Sequence, residues 1–524
     1  MTTVLLTTIR PAEANIQLAL YSLKAYFLEW STLASAVDMP VMTFSAGVAA
    51  EDAAAQILAR KPAVVGMSCY VWNVTALLAV ATCLRVARPD LPIVVGGPEV
   101  SPRARQLLKD GPDIDVVVIG EGEETFRELV DCYIAGQGLD TVRGIAFRRA
   151  GKIVMAERRP DIANLDDIPS PYLAGVVDVE IASYTGYVPT ETLRGCGYRC
   201  HYCYYHKAFA TVRYFSLARV TAELQCILGK KPRGVYLMDP TFNVDRRRAK
   251  DVLRAFIQHN HGSNLHVELR AELLDEELCD LLRDARTDFI EIGIQSTNET
   301  TLGLMNRPFE PVAFAKNIRR LNDRRIPYEI QLLDSLPGDD YESLCRSVDW
   351  LFELAPSRVS IMRLQVIPGT FLDEHAADFG LTYDRYPPYF SHRCDTFSRR
   401  DLQRVESLKL ALGVLHRRGL LRRSLFAITG ETGLTVSAMC DSWLAWMRKT
   451  HRALFRVLAT GGADEKHQTM RLVVMDHARR RVGELGVPFV QALYRRGGRE
   501  PDAALLQRVE EDRADYLAHM EHPS

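Results

Sequence analysis

The chain of 524 residues has no long hydrophobic run: no uninterrupted apolar stretch nears the roughly 18 residues that a membrane-spanning helix needs. Its opening, MTTVLLTTIRP, lacks the basic start and extended apolar core of a signal peptide, so a reducing cytoplasm is the expected compartment. Charge of neither sign prevails. The 65 Lys and Arg face 66 Asp and Glu for a formal net charge of −1, and no global field calls for nucleic acid or an anionic membrane as partner. Cysteine is sparse at 11 residues, far from the density of a disulfide-stapled secreted fold. Histidine is missing from the whole N-terminal part, the first being His201. What is present, 47% hydrophobic and 25% charged residues, is the composition of a soluble globular protein of about three ordinary domains.

Three of the cysteines stand together. In TLRGCGYRCHYCYY, Cys196, Cys200 and Cys203 follow the spacing CxxxCxxC, with Tyr202 just before the last. Three thiolates on one short loop suit a cubane iron–sulfur cluster and leave its fourth iron without a protein ligand. A zinc site completed by His201 or His206 is the rival, because zinc favours four tetrahedral N/S ligands. The spacing with its aromatic resembles the radical S-adenosylmethionine (SAM) superfamily. That resemblance implies a [4Fe-4S] cluster on the three cysteines, SAM chelated at the open iron, and cleavage of SAM to a 5′-deoxyadenosyl radical. It also places Tyr202 against the SAM adenine and implies an electron donor such as flavodoxin or ferredoxin.

Ahead of the cysteines, short β-branched runs alternate with helical stretches. Strands are expected at 4–9, 41–44, 63–70 and 92–97, with helices at 14–26, 51–59 and 74–86 between them, and 115–126 reads as a further strand turning into a helix. Apolar strands separated by helices predict a parallel, doubly wound sheet that binds ligands beyond its carboxyl ends. Those ends carry Ser68, Tyr70 and Trp72, then Gly96, Gly97 and Glu99, then Glu121 and Gly122; glycine there permits positive φ and close approach of backbone to ligand. Together SCYVWN, VVGGPEV and VIGEGEETF resemble the cobalamin-binding domain that precedes many radical SAM domains. The DxHxxG motif that sets a histidine under cobalt in other cobalamin proteins is absent. Tyr70 and Trp72 are therefore the candidates for the lower corrin face, the alternative for Trp72 being burial at a domain interface.

After an irregular stretch containing a hairpin at Ala150-Gly151 and the strap NLDDIPSPYL, strand–helix alternation resumes. A strand leading from 179 into the cysteine loop and strands near 234–243, 265–274, 289–296, 328–338 and 358–370 predict six βα units, a partial barrel. Barrels gather ligands at the carboxyl ends of their strands. The ammonium, ribose and adenine of SAM suit acidic and amide partners there, and Asp239, Glu268, Gln295 and Ser296 are the candidates. In the superfamily a GGE-like segment after the second strand meets the SAM ammonium; here MDPTF takes its place, with Asp239 as the acid.

From 376 onward no βα series continues. YDRYPPYFSHRCDTF is placed to cover the barrel mouth, and the rest reads as helices whose arginine clusters are interleaved with acids, a solvated surface. The expected organisation is a Rossmann-like cobalamin-binding domain over 1–135, a linker over 136–178, a partial (β/α)6 TIM-barrel radical SAM domain over 179–375, and a helical region over 376–524. The whole resembles a cobalamin-dependent radical SAM enzyme. That resemblance implies methyl transfer from methylcobalamin to a substrate radical on a small molecule, with no protein general base assigned. A non-methylating rearrangement or cyclisation, and a redox or cobalamin sensor without turnover, are the rival classes.

Overall fold

The computed structural model describes residues 1–10, 16–178, 186–209, 211–461 and 468–521. Strands β1 (Thr2–Arg10), β2 (Val37–Asp38), β3 (Val41–Ser45), β4 (Val64–Ser68), β5 (Ile93–Gly96) and β6 (Val116–Val118) pair in parallel. Their order is β2-β1-β4-β5-β6, with β3 also on β1. Both faces are covered, as continuous apolar strands require. Val4 and Leu6 meet Leu20, Phe27 and Leu129 on one side, while Leu5 and Ile9 meet Ala53, Ile57, Leu77 and Leu84 on the other. The strand order reverses between β1 and β4, so the ligand crevice of this sheet lies beyond their carboxyl ends, at Arg10 and Ser68.

The helix expected from Ala14 runs over Leu18–Trp30, and residues 14 and 15 lie outside the described residues. A helix at Ala104–Asp110, not foreseen, lies between β5 and β6 in the chain. The hairpin expected inside the linker is present, but it belongs to the first sheet. Strands β7 (Ile145–Arg149) and β8 (Lys152–Met155) extend it antiparallel beyond β6, past the expected boundary at 135. Its two-residue turn has φ 47 at Ala150 and 77 at Gly151, matching the twist of the strands it joins.

The second sheet is the expected six-stranded parallel half-barrel. Strands β9 (Tyr187–Thr190), β12 (Gly234–Leu237), β13 (Asn264–Glu268), β14 (Thr287–Gln295), β15 (Glu329–Leu333) and β16 (Arg358–Met362) follow one another in chain order. Between β9 and β12, the short strands β10 (Leu193–Arg194) and β11 (Arg213–Tyr214) pair antiparallel and bracket the cysteine loop. The part of the first strand expected at 179–185 lies outside the described residues. Alternate residues such as Val235, Val267, Ile292, Ile330 and Ile361 are buried beneath the helices, and the opposite face lines the barrel with polar groups. Side chains of Ser216, Asp245, Asp275 and Asp340 each accept a backbone N–H three residues on, which starts the following helix close behind its strand.

The last quarter is helical as expected, from Arg399–Leu412 to Ala503–Glu521, and shares the apolar core of the barrel. The proline-rich stretch before it contains a short ladder of β17 (Thr382–Tyr383) and β18 (Ser391–Arg393). It is laced to the segment leaving β16: Val366 N–H donates to Tyr389 O and Ser391 N–H to Leu364 O, both at 2.9 Å. Among the described residues no helix is long and apolar enough to cross a membrane.

Candidate active site

The cysteine loop hangs between β10 and β11 over the barrel mouth. Gly195 has φ +99, and a Cβ there would lie 2.3 Å from the Thr211 carbonyl oxygen, so only glycine lets the chain turn into the loop. Cys200 is buried, Cys196 and Cys203 are half-buried, and all three thiols are free. A polar group faces each of them. Arg307 Nη1 lies 3.6 Å from Cys200 Sγ, Tyr205 N–H lies 3.4 Å from Cys203 Sγ, and Thr241 Oγ1 lies 3.9 Å from Cys196 Sγ. Burial pushes the Cys203 thiol up to about 11, a penalty on the thiolate that a bound metal centre removes.

A cubane fits this arrangement better than zinc. Each of three irons takes one thiolate, and the donors around the sulfurs suit anionic sulfur. Among the described residues no three His, Cys, Asp or Glu side chains converge tightly enough for a single ion. His201 is engaged elsewhere, its Nδ1 lying 2.7 Å from Leu304 O and its ring stacked on Phe371 at 3.8 Å.

Sequence reasoning missed Arg307. Its guanidinium also reaches Tyr202 OH at 3.0 Å, Ile294 O at 3.2 Å and the carbonyl of Gly293. It thereby ties the loop to the end of β14, twelve residues after Gln295. Its only signal was an arginine in LMNRP after the strand. Burial pushes the Tyr202 hydroxyl above its ordinary value, and Arg307 opposes that.

The SAM candidates divide. Asp239 is fully buried and braces the cysteine loop: Oδ1 accepts Thr192 N–H at 2.7 Å and Leu193 N–H at 3.2 Å, and Oδ2 accepts the Thr192 hydroxyl at 2.5 Å. Burial raises its carboxyl to about 6 despite those donors. It therefore stands as a brace, where an ammonium contact was expected. Ser296, also fully buried, caps the next turn by accepting Asn298 N–H at 3.0 Å.

Glu268 faces the barrel interior, where its Oε1 accepts Tyr236 OH at 2.6 Å. Burial pushes its carboxyl up, the tyrosine opposes this, and Glu291 adds to it. Gln295 sits at a break in register of β14 with φ +74, and its amide reaches back across Gly293, where a Cβ would come within 2.5 Å. A strained, half-buried amide at a strand end is the kind of group that ligands engage.

At the first sheet the edge is built for close approach. Gly97 has φ +114, and a Cβ there would lie 2.4 Å from Cys69 O. The loop after β4 is fixed by Asn73, which accepts Tyr70 N–H at 2.7 Å and donates to Thr8 Oγ1 at 2.9 Å and Ile9 O at 3.0 Å. Tyr70 and Trp72 stack with centroids 4.5 Å apart, and Trp72 is 58% exposed. Burial at a domain interface is therefore not the role of Trp72; the pair forms an aromatic step beside Ser68.

Glu99 and Glu121 look inward and do not face the crevice. Glu99 is buried, paired with Arg103 at 2.7 Å, and accepts the hydroxyl of Tyr389 from the YPPYF segment. Glu121, beside Gly122, accepts Arg194 Nη1 at 2.9 Å, Arg213 at 2.9 and 3.0 Å, and Ile162 N–H at 2.7 Å. Burial pushes the Glu121 carboxyl up, but Arg213 and Arg194 outweigh it and hold it below its ordinary value. Arg194, two residues before Cys196, also grips Glu123 at 2.6 Å and Glu191 at 2.7 Å. A buried ionic knot thus fastens the ligand edge of the first sheet to the cysteine loop. Neither Arg194 nor Arg213 was singled out from sequence.

The B12 binding domain family matches residues 29–130 and the Radical SAM superfamily matches residues 190–351. The chain is 32% identical over 191 residues to the cobalamin-dependent radical SAM methyltransferase TokK of Streptomyces tokunonensis, covering 35% of this chain and 28% of that protein. It is 26% identical over 306 residues to the anaerobic magnesium-protoporphyrin IX monomethyl ester cyclase of Rubrivivax gelatinosus, covering 55% and 54%. The chain therefore spans between 28% and 54% of the length of these curated relatives. In fold it is similar to the cobalamin-dependent S-adenosylmethionine radical enzyme OxsB, with TM-score 0.63 and 16% identity over 100% of this chain and 84% of that one. The methyltransferase TsrM of Kitasatospora setae gives TM-score 0.61 and 19% identity over 74% and 78%.

Proposed function

A B12-binding domain ahead of a radical SAM domain makes the chain a cobalamin-binding radical SAM protein, and from that premise we propose that it is a methyltransferase acting on a carbon of a small molecule. The observation that carries the reading is the ionic knot of Arg194 and Arg213 with Glu121, Glu123 and Glu191. It sets the cobalamin edge of one sheet against the cluster loop of the other. Methyl transfer to a carbon radical needs donor and acceptor within a few bond lengths, and such positioning is worth on the order of 7–11 kcal/mol of barrier.

When bound, the cluster and SAM supply a hydrogen-abstracting radical and cobalamin supplies a transferable methyl. The chain's own residues align these groups. Cys196, Cys200 and Cys203 hold the cluster, Arg307 secures the loop that carries it, and Glu268 and Gln295 bind the ammonium and nucleoside of SAM. Ser68, Gly96 and Gly97 would admit the corrin, and Tyr70 with Trp72 would offer it an aromatic surface where this domain has no imidazole. The YPPYF segment, tied to Glu99 through Tyr389, closes the cavity against water. The substrate is a small molecule, the electron comes from a flavodoxin or ferredoxin, and the compartment is the reducing cytoplasm.

Anaerobically reconstituted protein should release 5′-deoxyadenosine and S-adenosylhomocysteine from SAM only when a reductant is present, and a product should gain one CH₂. Release of neither compound ends the enzymatic reading. A second reading, ring formation without methylation, draws on the cyclase relative, which matches more of the chain than the methyltransferase does. Product mass separates the two.

A further inference from the structure

Resting on the reading that Glu268 meets the ammonium of SAM, we propose that Tyr236 and His266 are its positioning residues, aiming its carboxylate from the interior of the half-barrel. One chain of contacts crosses four parallel strands below the mouth. Gln331 on β15 donates its amide N–H to Glu291 Oε2 on β14 at 2.7 Å, and Glu291 Oε1 lies 2.9 Å from His266 Nε2 on β13. The imidazole lies flat on the ring of Tyr236 on β12, with centroids 4.1 Å apart and planes 20° from parallel. Tyr236 OH then returns to β13, donating to Glu268 Oε1 at 2.6 Å.

The two acids of this chain differ in what they leave free. Both oxygens of Glu291 are occupied. Burial pushes its carboxyl up, but His266 and Gln331 outweigh that and hold it below its ordinary value. An ionised carboxylate can only accept, so the Nε2 facing it carries the hydrogen and the imidazole is fixed in its plane. His266 also meets Phe289 and Tyr187 edge-to-face, at 4.9 and 5.9 Å. Glu268 gives one oxygen to Tyr236, and its Oε2 has no partner among the described residues. It is the last residue of β13, at the carboxyl end where barrels take their ligands. A layer that only filled the barrel would close both carboxylates, as it closes Glu291.

The Tyr236 hydroxyl does two things for Glu268. It fixes the direction of the carboxylate, because its own ring is held against the immobilised imidazole. It also favours the charged form. Burial and the charge of Glu268 push the Tyr236 hydroxyl well above its ordinary value, so it stays a donor. Burial raises the Glu268 carboxyl, Tyr236 opposes this, Glu291 adds to it and His266 opposes it. Without the hydroxyl the carboxyl rises further, and a neutral acid attracts no ammonium.

Binding is measured anaerobically by calorimetry on the full chain loaded with its cluster. S-adenosylhomocysteine, which keeps the ammonium, is compared with its deaminated analogue. Any bond of the amino group to iron is lost with the analogue in every variant alike, so each substitution is judged by its effect on the two ligands. Tyr236→Phe keeps the ring on His266 and removes only the hydroxyl. It should raise Kd for S-adenosylhomocysteine about tenfold or more and Kd for the analogue by less than about twofold. His266→Phe keeps a ring on Tyr236 but loses the bond to Glu291, and should give a smaller loss, again confined to S-adenosylhomocysteine. In a Glu268→Gln background Tyr236→Phe should have no further effect. The pH profile should move too: as the solution is acidified, affinity for S-adenosylhomocysteine should begin to fall at a higher pH in Tyr236→Phe than in wild type. Equal losses with both ligands, unchanged binding of S-adenosylhomocysteine, or an unmoved pH profile would each overturn the role of Tyr236. Unchanged binding in His266→Phe would overturn that of His266. A Glu268→Gln protein that binds S-adenosylhomocysteine as wild type does would instead overturn the ammonium contact itself.

Discussion

Replacing Arg194 with Met removes the cation at the centre of the ionic knot while keeping a side chain of similar length. Glu121 retains Arg213 and the Ile162 N–H. Glu123 and Glu191, with side chains 7% and 23% exposed, are ion-paired with Arg194 and lose it. Breaking a buried pair by deleting one partner costs about 3–5 kcal/mol, because a charge is left uncompensated. With a urea m-value of about 3 kcal/mol/M, the unfolding midpoint should fall by about 1–1.7 M. Arg194→Lys keeps the charge but loses the fork that reaches three carboxylates, and should fall between.

The defect should depend on pH with a definite sign. Burial already pushes the Glu191 carboxyl above its ordinary value; Arg194 opposes this, and Glu123 and Glu223 add to it. Removing Arg194 moves the folded-state value further up. A carboxyl whose folded pKa is raised favours folding below its unfolded pKa of about 4.3 and loses that contribution as pH rises through the folded value. The Met variant should thus be most impaired at neutral and alkaline pH and recover as pH falls. Cobalamin affinity and cluster content, measured on the same protein, should both drop. A midpoint within experimental error of wild type at neutral pH, or a defect of constant size across pH, would refute the knot as the fastener of the two sheets.

Other outcomes follow from single contacts. Cys200→Ala should abolish the cluster absorption, and reconstituted wild type should hold about four irons and four sulfides per chain. Gly97→Ala places a Cβ 2.4 Å from Cys69 O at φ +114, so cobalamin binding, read by absorbance, should be lost while the iron content is kept. Arg307→Met removes the donor 3.6 Å from Cys200 Sγ. A hydrogen bond to a charged group is worth about 1.5–3 kcal/mol, so the one-electron potential in an electron paramagnetic resonance titration should become more negative by about 60 mV or more. With Tyr70 and Trp72 under cobalt, bound cob(II)alamin should show no nitrogen superhyperfine splitting; a strong pattern would contradict that placement.

The architecture was legible because it rests on periodicity. Apolar runs such as PIVVGG and FIEIGIQS, spaced by amphipathic helices, fix parallel strands whichever partner lies beside them, and the six barrel strands appear where the alternation put them. The cysteine loop was legible because three ligands fall within eight residues. The hairpin β7–β8 was read correctly as a hairpin, yet its membership of the first sheet was not readable, since that depends on the register Val117↔Ala146 across a helix and a turn.

The site residues were legible by position but not by partner, and the reason is specific to carboxylates. A strand-end acid can face the ligand or brace the backbone of a neighbouring loop, and both place it at the same point in the sequence. Glu99, Glu121 and Asp239 all proved to be braces, each satisfied by donors distant in sequence: Tyr389 for Glu99, Arg194 and Arg213 for Glu121, Thr192 for Asp239. A buried carboxylate left without such donors would carry a large desolvation penalty. Two different cofactors that must meet within a few bond lengths need rigid loops around them, and rigidity requires braces. What faces the open space is the Gln295 amide, the backbone at Gly97, the Tyr70–Trp72 step, and Glu268, whose carboxyl burial pushes above its ordinary value. Three of the four acids that sequence reasoning offered to the ligands hold the loops, and Glu268 with the amide, aromatic and glycine positions is left to receive them.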